Sequence, residues 1–267
     1  MELRQLRERS GLSREQVADA TEINRVTLYR IEMAQARPQV RTLRALLNMY
    51  GVSDRHQNDL IAILKLAKEE SWLRIATNDL PDQYATYIGF ERDAAKILNY
   101  ELSFVPGLLQ TEMYARTAIP AGAPELPSAE VDSRVAARMA RQAERKPSLP
   151  LEVIIDEAVL RRHVGSSEIM RDQIRRLLNE SEQPHVTLQV IPFGAGVHPG
   201  MHGSFVILQF AQDAHDVVYI EASMTDLFLD SENDIMRYNL MFENLQAIAA
   251  TTDESRGILA QALTDVD

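Results

Sequence analysis

The segment Gly11–Pro38, GLSREQVADATEINRVTLYRIEMAQARP, constrains the chain more than any other. Ser13 stands three residues before Gln16, the S-x-x-Q spacing of a capping box, in which each side chain satisfies a backbone N–H that a helix start leaves open. Val17 lies on the inner face of the helix that follows, and Ala18 is small enough for another helix to cross closely. The pattern breaks at Thr21-Glu22-Ile23. Asn24 then caps a second helix over Arg25–Met33, with Leu28 and Ile31 at helical spacing.

The neighbouring stretches build on this pair. Leu3, Leu6 and Leu12 give an earlier helix one apolar stripe, decorated by Arg4, Arg7 and Arg9. After a loop at Ala34–Pro38, the residues Val40, Leu43, Leu46, Leu47 and Tyr50 predict an amphipathic helix stopped by Gly51. Ser53 opens a fifth helix running through Leu60, Ile63, Leu64 and Ala67. Residues 1–69 are therefore expected to form an all-helical, five-helix domain.

With 267 residues, the chain has room for a second domain. Its net charge of −11 is unevenly spread: residues 1–70 hold 12 Lys/Arg against 10 Asp/Glu, and the remainder 16 against 29. An acidic second part repels nucleic acid, so contact with a polyanion is confined to the first seventy residues. The absence of Cys excludes disulfides, thiolate zinc sites and Cys nucleophiles. No apolar run approaches the ~20 residues of a membrane span, and MELRQLRER has no signal-peptide core, so a cytoplasmic location without membrane contact is expected.

Residues 70–84 read as a linker, with Trp72 as a packing anchor and a turn at Leu80-Pro81-Asp82. Beyond it, helices are expected at Tyr84–Asn99, from the Thr111 cap through Ile119, at Ser128–Lys146 and at Ser167–Leu178. Two closing helices follow, at Ser231–Ala249 and Asp253–Leu263. Phe104, Val105, Leu108 and Leu109 read as a buried extended segment interrupted by Pro106-Gly107. Strands are expected at Leu151–Ile155, Val186–Ile191, Ser204–Phe210 and Val217–Glu221, with Thr225–Leu229 as an edge strand. Helices and strands mix without regular alternation. Residues 85–267 are thus expected to form an α+β domain with a small, mostly antiparallel sheet.

Residues 3–53 resemble the Xre family of helix-turn-helix domains without a gap, through Leu6, Arg7, Gly11, Leu12, Ser13, Ala18, Ile23, Asn24, Thr27, Leu28, Arg30, Ile31, Glu32, Pro38, Leu43 and Gly51. The resemblance implies a double-stranded DNA operator as partner, and a buried ion pair between Arg7 and Glu32. Two departures stand out: Glu22 replaces the family's Gly between the two helices, and Met33-Ala34 replaces its Asn-Gly. In such a domain the second helix enters the major groove. By position, Arg25, Val26 and Tyr29 are expected at base edges, and Arg14, Asn24, Thr27, Arg30 and Arg41 at phosphates.

The second part resembles a C-terminal domain of unknown function found in actinomycete Xre-type regulators and often labelled antitoxin-like. The landmarks are Val105–Thr111 with Tyr114-Ala115, Arg138, Arg141-Gln142, Ile155–Arg161, Gly194–Gly200 with His198, Gly203-Ser-Phe205 and Tyr219-Ile-Glu221. This implies a regulator frequently paired with a small companion protein.

His198-Pro-Gly-Met-His202 is the closest approach to a metal or catalytic cluster, with Glu221 as the only third group in prospect. Two His four apart share a helix face, but Pro199 and Gly200 oppose a helix, so loop architecture is favoured and no metal or cofactor is expected. The same loop is a candidate rim for an effector or a partner. Arg134, Arg138 and Arg141 share one helix face, either solvated or facing an acidic ligand. No nucleophile elbow, P-loop or dinucleotide fingerprint occurs, which argues against an enzyme. The readings are then a homodimeric DNA-binding regulator on a palindromic operator, an antitoxin-like protein sequestering a companion, and, last, a hydrolase with a DNA-binding leader.

Overall fold

Local signals account for the first unit almost entirely. The computed structural model describes residues 2–21, 23–32, 38–69, 82–211, 216–221 and 226–266, without the side chains of residues 25, 26, 30, 62–63, 65–69, 82–83 and 85. Glu22, Met33, Ala34 and Trp72 lie outside the described residues. The chain divides into two compact units, Met1–Ile75 and Ala76–Asp267.

Among its described residues the first unit holds five helices: α1 (Glu2–Arg9), α2 (Arg14–Thr21), α3 (Arg25–Glu32), α4 (Val40–Met49) and α5 (Asp54–Glu69). The capping box at the start of α2 is reciprocal, with Gln16 N donating to Ser13 Oγ and Ser13 N to Gln16 Oε1. At the end of α4, Val52 N reaches Leu47 O and Gly51 N reaches Asn48 O, the double closure that needs a left-handed residue; Gly51 supplies it at φ 71°. Val17, Ala18, Leu28, Ile31, Leu46 and Tyr50 form one core cluster, and Leu43, Leu47 and Ile61 another.

The second unit is built on six strands: β1 (Lys96–Glu101), β2 (Leu151–Asp156), β3 (Val186–Ile191), β4 (Phe205–Gln209), β5 (Val217–Ile220) and β6 (Leu227–Leu229), in the order β3-β2-β1-β4-β5-β6. The pairings β4–β5 and β5–β6 are antiparallel, as expected, and so is β1–β4, whereas β1–β2 and β2–β3 are parallel. The parallel half was not expected, because β1 itself was read as helix. The helix there, α6 (Asp82–Asp93), ends early and also begins inside the expected linker. No Gly or Pro separates it from Lys96-Ile-Leu-Asn-Tyr100, and a short apolar run has no decisive period of its own.

Parallel strands need crossover connections, and these carry the helices. Between β1 and β2 come a 3-10 turn at Gly107–Leu109, α7 (Glu112–Gly122, capped by Thr111) and α8 (Ser128–Glu144). Between β2 and β3 come α9 (Ala158–Arg161) and α10 (Ser167–Ser181), and the chain closes with α11 (Glu232–Ile248) and α12 (Thr252–Asp265). Phe104, expected in a buried segment, is exposed, while Val105, Leu108 and Leu109 are buried.

Side chains alternate across the strands, as pleating demands. Ile97, Val153, Ile155, Leu188, Val190 and Leu208 face a core closed by α6, α7, α9, α10 and α12. Leu98, Tyr100, Ile154, Phe205, Ile207 and Val218 face the other way, where Phe242 and Leu245 of α11 meet them. Among the described residues, one sheet face thus has five helices over it and the other a single helix. No helix among the described residues is long and apolar enough to cross a membrane.

Candidate nucleic-acid interface

The helix pair α2–α3 is locked by charge as well as by apolar packing. Glu32, at the end of α3, is fully buried. Arg7 of α1 donates from Nε to Glu32 Oε1 at 2.5 Å and from Nη2 to Oε2 at 3.2 Å, and its third nitrogen, Nη1, caps Leu12 O at 2.9 Å. The hydrogen bond to Glu32 holds the Arg7 guanidinium above its ordinary pKa. Three helices are joined here, because Arg14 of α2 also reaches Glu32 Oε2 through Nε at 2.7 Å.

Arg14, expected at a phosphate, therefore has a structural role that the sequence did not announce. Its guanidinium also lies over the Tyr29 ring, 5.2 Å from the centroid. One buried carboxylate opposes two guanidinium groups, so the trio carries a net positive charge, and Arg14, one-third exposed, holds the outer share. Removing a buried partner from such a set strands the remaining charge.

The outward side of α3 follows from its phase. Leu28, Ile31 and Glu32 are buried, which turns Thr27 and Tyr29 outward; both are exposed, Tyr29 by 43%. Asn24 and Arg41 are exposed as well. Arg25, Val26 and Arg30 belong to α3, but their side chains lie outside the described residues. Positions 26 and 30 fall opposite Leu28 by the 3.6-residue turn.

In the second unit, His198, His202 and Glu221 do different things. His198 is buried, with Nε2 3.3 Å from Asp156 Oδ2 and its ring edge-on to Tyr100. His202 and Glu221 are exposed. Among the described residues no group of three or more His, Asp or Glu side chains is placed to hold a metal. The loop is instead clamped: a Cβ at Gly200 would lie 2.5 Å from Tyr100 Cζ, so only glycine lets the backbone cross that ring. Asp156 accepts from Ala158 N at 2.8 Å through Oδ1 while its Oδ2 faces His198.

The arginine row of α8 divides: Arg134 and Arg138 are half-buried, whereas Arg141 is withdrawn from solvent. Arg141 is buried, donating from Nε and Nη2 to Glu91 at 2.8 and 2.6 Å and from Nη1 to the Tyr84 hydroxyl at 2.6 Å. The faces of Tyr84 and Tyr87 enclose it at 5.4 and 5.0 Å. Arg138 donates to Gln110, and Arg134 pairs with Glu130. Glu91 carries no local signal in the sequence that ties it to Arg141, fifty residues later.

Residues 1–60 match the family model described as a helix-turn-helix domain, and residues 84–261 match the one described as a domain of unknown function (DUF5753). No curated protein was found to match the chain.

Proposed function

The chain belongs to the DUF5753 family and carries an Xre-type helix-turn-helix domain ahead of that region, and from this premise we propose that it is a sequence-specific transcriptional regulator acting in the cytoplasm. In this reading α3 lies in the major groove of a palindromic operator and α2 crosses the backbone. Arg25, Val26 and Tyr29 meet base edges, while Asn24, Thr27, Arg30 and Arg41 hold phosphates. Arg14 supplies its remaining donors from a position fixed by Glu32. The chain acts as a homodimer, because one module reads only a few base pairs and two-fold symmetry doubles the contacts. The second unit is the receiver of a signal or partner and carries no enzymatic activity.

The observation behind this reading is the Arg7–Glu32–Arg14 junction, which ties α3 to α1 and α2 and leaves Thr27 and Tyr29 outside the core. Retention of promoter fragments by the full chain tests it. Binding should weaken steeply with salt, and Arg25→Ala and Tyr29→Ala should abolish discrimination between operator and random DNA. Unchanged discrimination in both variants refutes the reading. A second reading, capture of a small companion protein, is favoured by the exposed Phe193, Val197 and Met201 of the clamped loop. It is discarded if the purified chain brings no small neighbour-encoded protein with it.

A further inference from the structure

The second part of the chain is acidic, yet a cavity in it is lined mainly by cations. Residues 71–267 hold 29 Asp/Glu against 16 Lys/Arg. Where the end of α8 lies near α6, Arg92, Arg141, Arg145 and Lys146 line the cavity with only two carboxylates, Glu91 and Glu144. Arg141 and Glu91 neutralise each other in their fork, and Arg92 reaches Asp93 at 3.4 Å. Ile88, Leu108 and Leu149, all buried, supply the apolar wall.

The remaining cations outnumber their partners. Arg145 donates from Nη2 to Glu180 Oε2 at 3.0 Å, and Arg176 shares the same carboxylate, with Nη2 3.6 Å from Oε1. Burial, with Arg145 close by, holds the Arg176 guanidinium below its ordinary pKa against the pull of Glu180. Lys146 is exposed and, among the described residues, forms no ion pair; the same holds for Glu144. Set against Glu144 and Glu180, the trio Arg145, Arg176 and Lys146 leaves one surplus positive charge. The end of a helix favours cations, which accounts for Arg145 and Lys146 following α8. It does not account for Arg145 Nη1, a charged donor that is buried without an acceptor among the described residues.

The space available limits what could serve as that acceptor. The cavity has about 30 Å³ free, room for roughly two waters or one small charged group. A carboxylate offers two acceptor oxygens in one plane, the match of a guanidinium edge. As a monoanion it balances the single surplus charge, which a dianion would overshoot, and the apolar wall suits a short hydrocarbon stem.

We propose that this cavity binds the carboxylate of a small, partly apolar acid, with Arg145 Nη1 and Lys146 Nζ as donors and Ile88, Leu108 and Leu149 around its stem. The proposal rests on the reading of the second unit as a receiver and names the chemistry of its signal. Calorimetric titration of the full chain with butyrate tests it, beside butyramide as a neutral isostere and inorganic phosphate as a dianion. Butyrate should bind and butyramide should not. Loss of one charge-assisted contact in Lys146→Gln should weaken butyrate about tenfold. Arg145→Gln should remove binding, with far-UV circular dichroism as its folding control. The exposed Lys146 keeps the test decisive if Arg145→Gln fails to fold. Arg175→Gln, which alters an exposed surface pair one residue from Arg176, should change nothing. No butyrate binding, equal binding of butyramide, tighter binding of phosphate, or an unchanged affinity in Lys146→Gln each overturns the site. Saturating butyrate should also alter promoter retention by the wild type. Retention unchanged while Lys146-dependent binding holds removes the receiver role and leaves the carboxylate site standing.

Discussion

Each unit of this chain is fastened by a buried arginine–glutamate fork, and the two forks differ in what else the carboxylate holds. Arg7 and Arg141 each engage a glutamate through Nε and Nη2 and spend Nη1 on a further acceptor, Leu12 O in one case and the Tyr84 hydroxyl in the other. Glu32 also takes Arg14, which leaves the first site with surplus positive charge near an exposed helix. Glu91 also takes the Tyr87 hydroxyl, which leaves the second site neutral and closed between two rings. The same chemistry thus serves a surface in one unit and a seal in the other. What decides between them is the third partner.

The largest effect should come from the seal. Arg141→Ala leaves Glu91 buried without a cation, and a loss of about 3–5 kcal/mol is expected in denaturant unfolding of the full chain. A loss below about 1 kcal/mol, the range of exposed pairs, would show that the enclosed fork matters no more than a surface one.

Arg7→Ala is expected to cost less, near the lower end of the same ~3–5 kcal/mol range, because Arg14 still neutralises Glu32. The two variants then differ in their side effects: Arg7→Ala should weaken promoter retention, whereas Arg141→Ala should leave it intact while the first unit remains folded. Equal losses of stability and equal effects on retention would erase the distinction between the forks.

The smallest effect concerns a half-buried acid without an arginine fork. Burial raises the Glu101 carboxyl from 4.5 to about 7, against hydrogen bonds from Ser204 and Asn99 that lower it. Between those values the folded chain keeps a proton that the unfolded chain has released, so this group makes stability fall as pH rises from 4.5 to about 7. Glu101→Gln should flatten that slope in unfolding curves measured across the window. A slope unchanged by the substitution would assign the pH dependence to other groups.

Much of the first unit could be read from its residues in order. The reciprocal Ser13–Gln16 box, the Gly51 stop and the inner stripe of α4 all act within a few positions, so spacing alone exposes them. The Arg7–Glu32 pair spans 25 residues and was expected from resemblance rather than spacing. The site was legible to a smaller extent. Tyr29 and Thr27 face outward as their phase required, but nothing in the order of residues tied Arg14 to Glu32.

The second unit was legible element by element and opaque in its assembly. Strands β2 to β6 and the caps of α7, α10 and α11 lie close to where pattern and turn residues placed them. The strand β1, central to the sheet, was mistaken for helix, and with it went the parallel half of the topology. Its identity depends on hydrogen bonds to β2 and β4, which begin some fifty and a hundred residues later.

By itself, then, the sequence determined the five-helix unit, the outward face of α3 and the α+β character of the rest, because caps, periods and turns are short-range forces. Only the tertiary structure decided that β1 joins two parallel strands to three antiparallel ones. It also decided that His198 is buried on Asp156, that Arg141 is sealed by Glu91 and two tyrosines, and that α11 covers one face of the sheet. Those outcomes rest on contacts between residues far apart in the chain, where burial and charge pairing are set by the partner that arrives rather than by the neighbours in sequence.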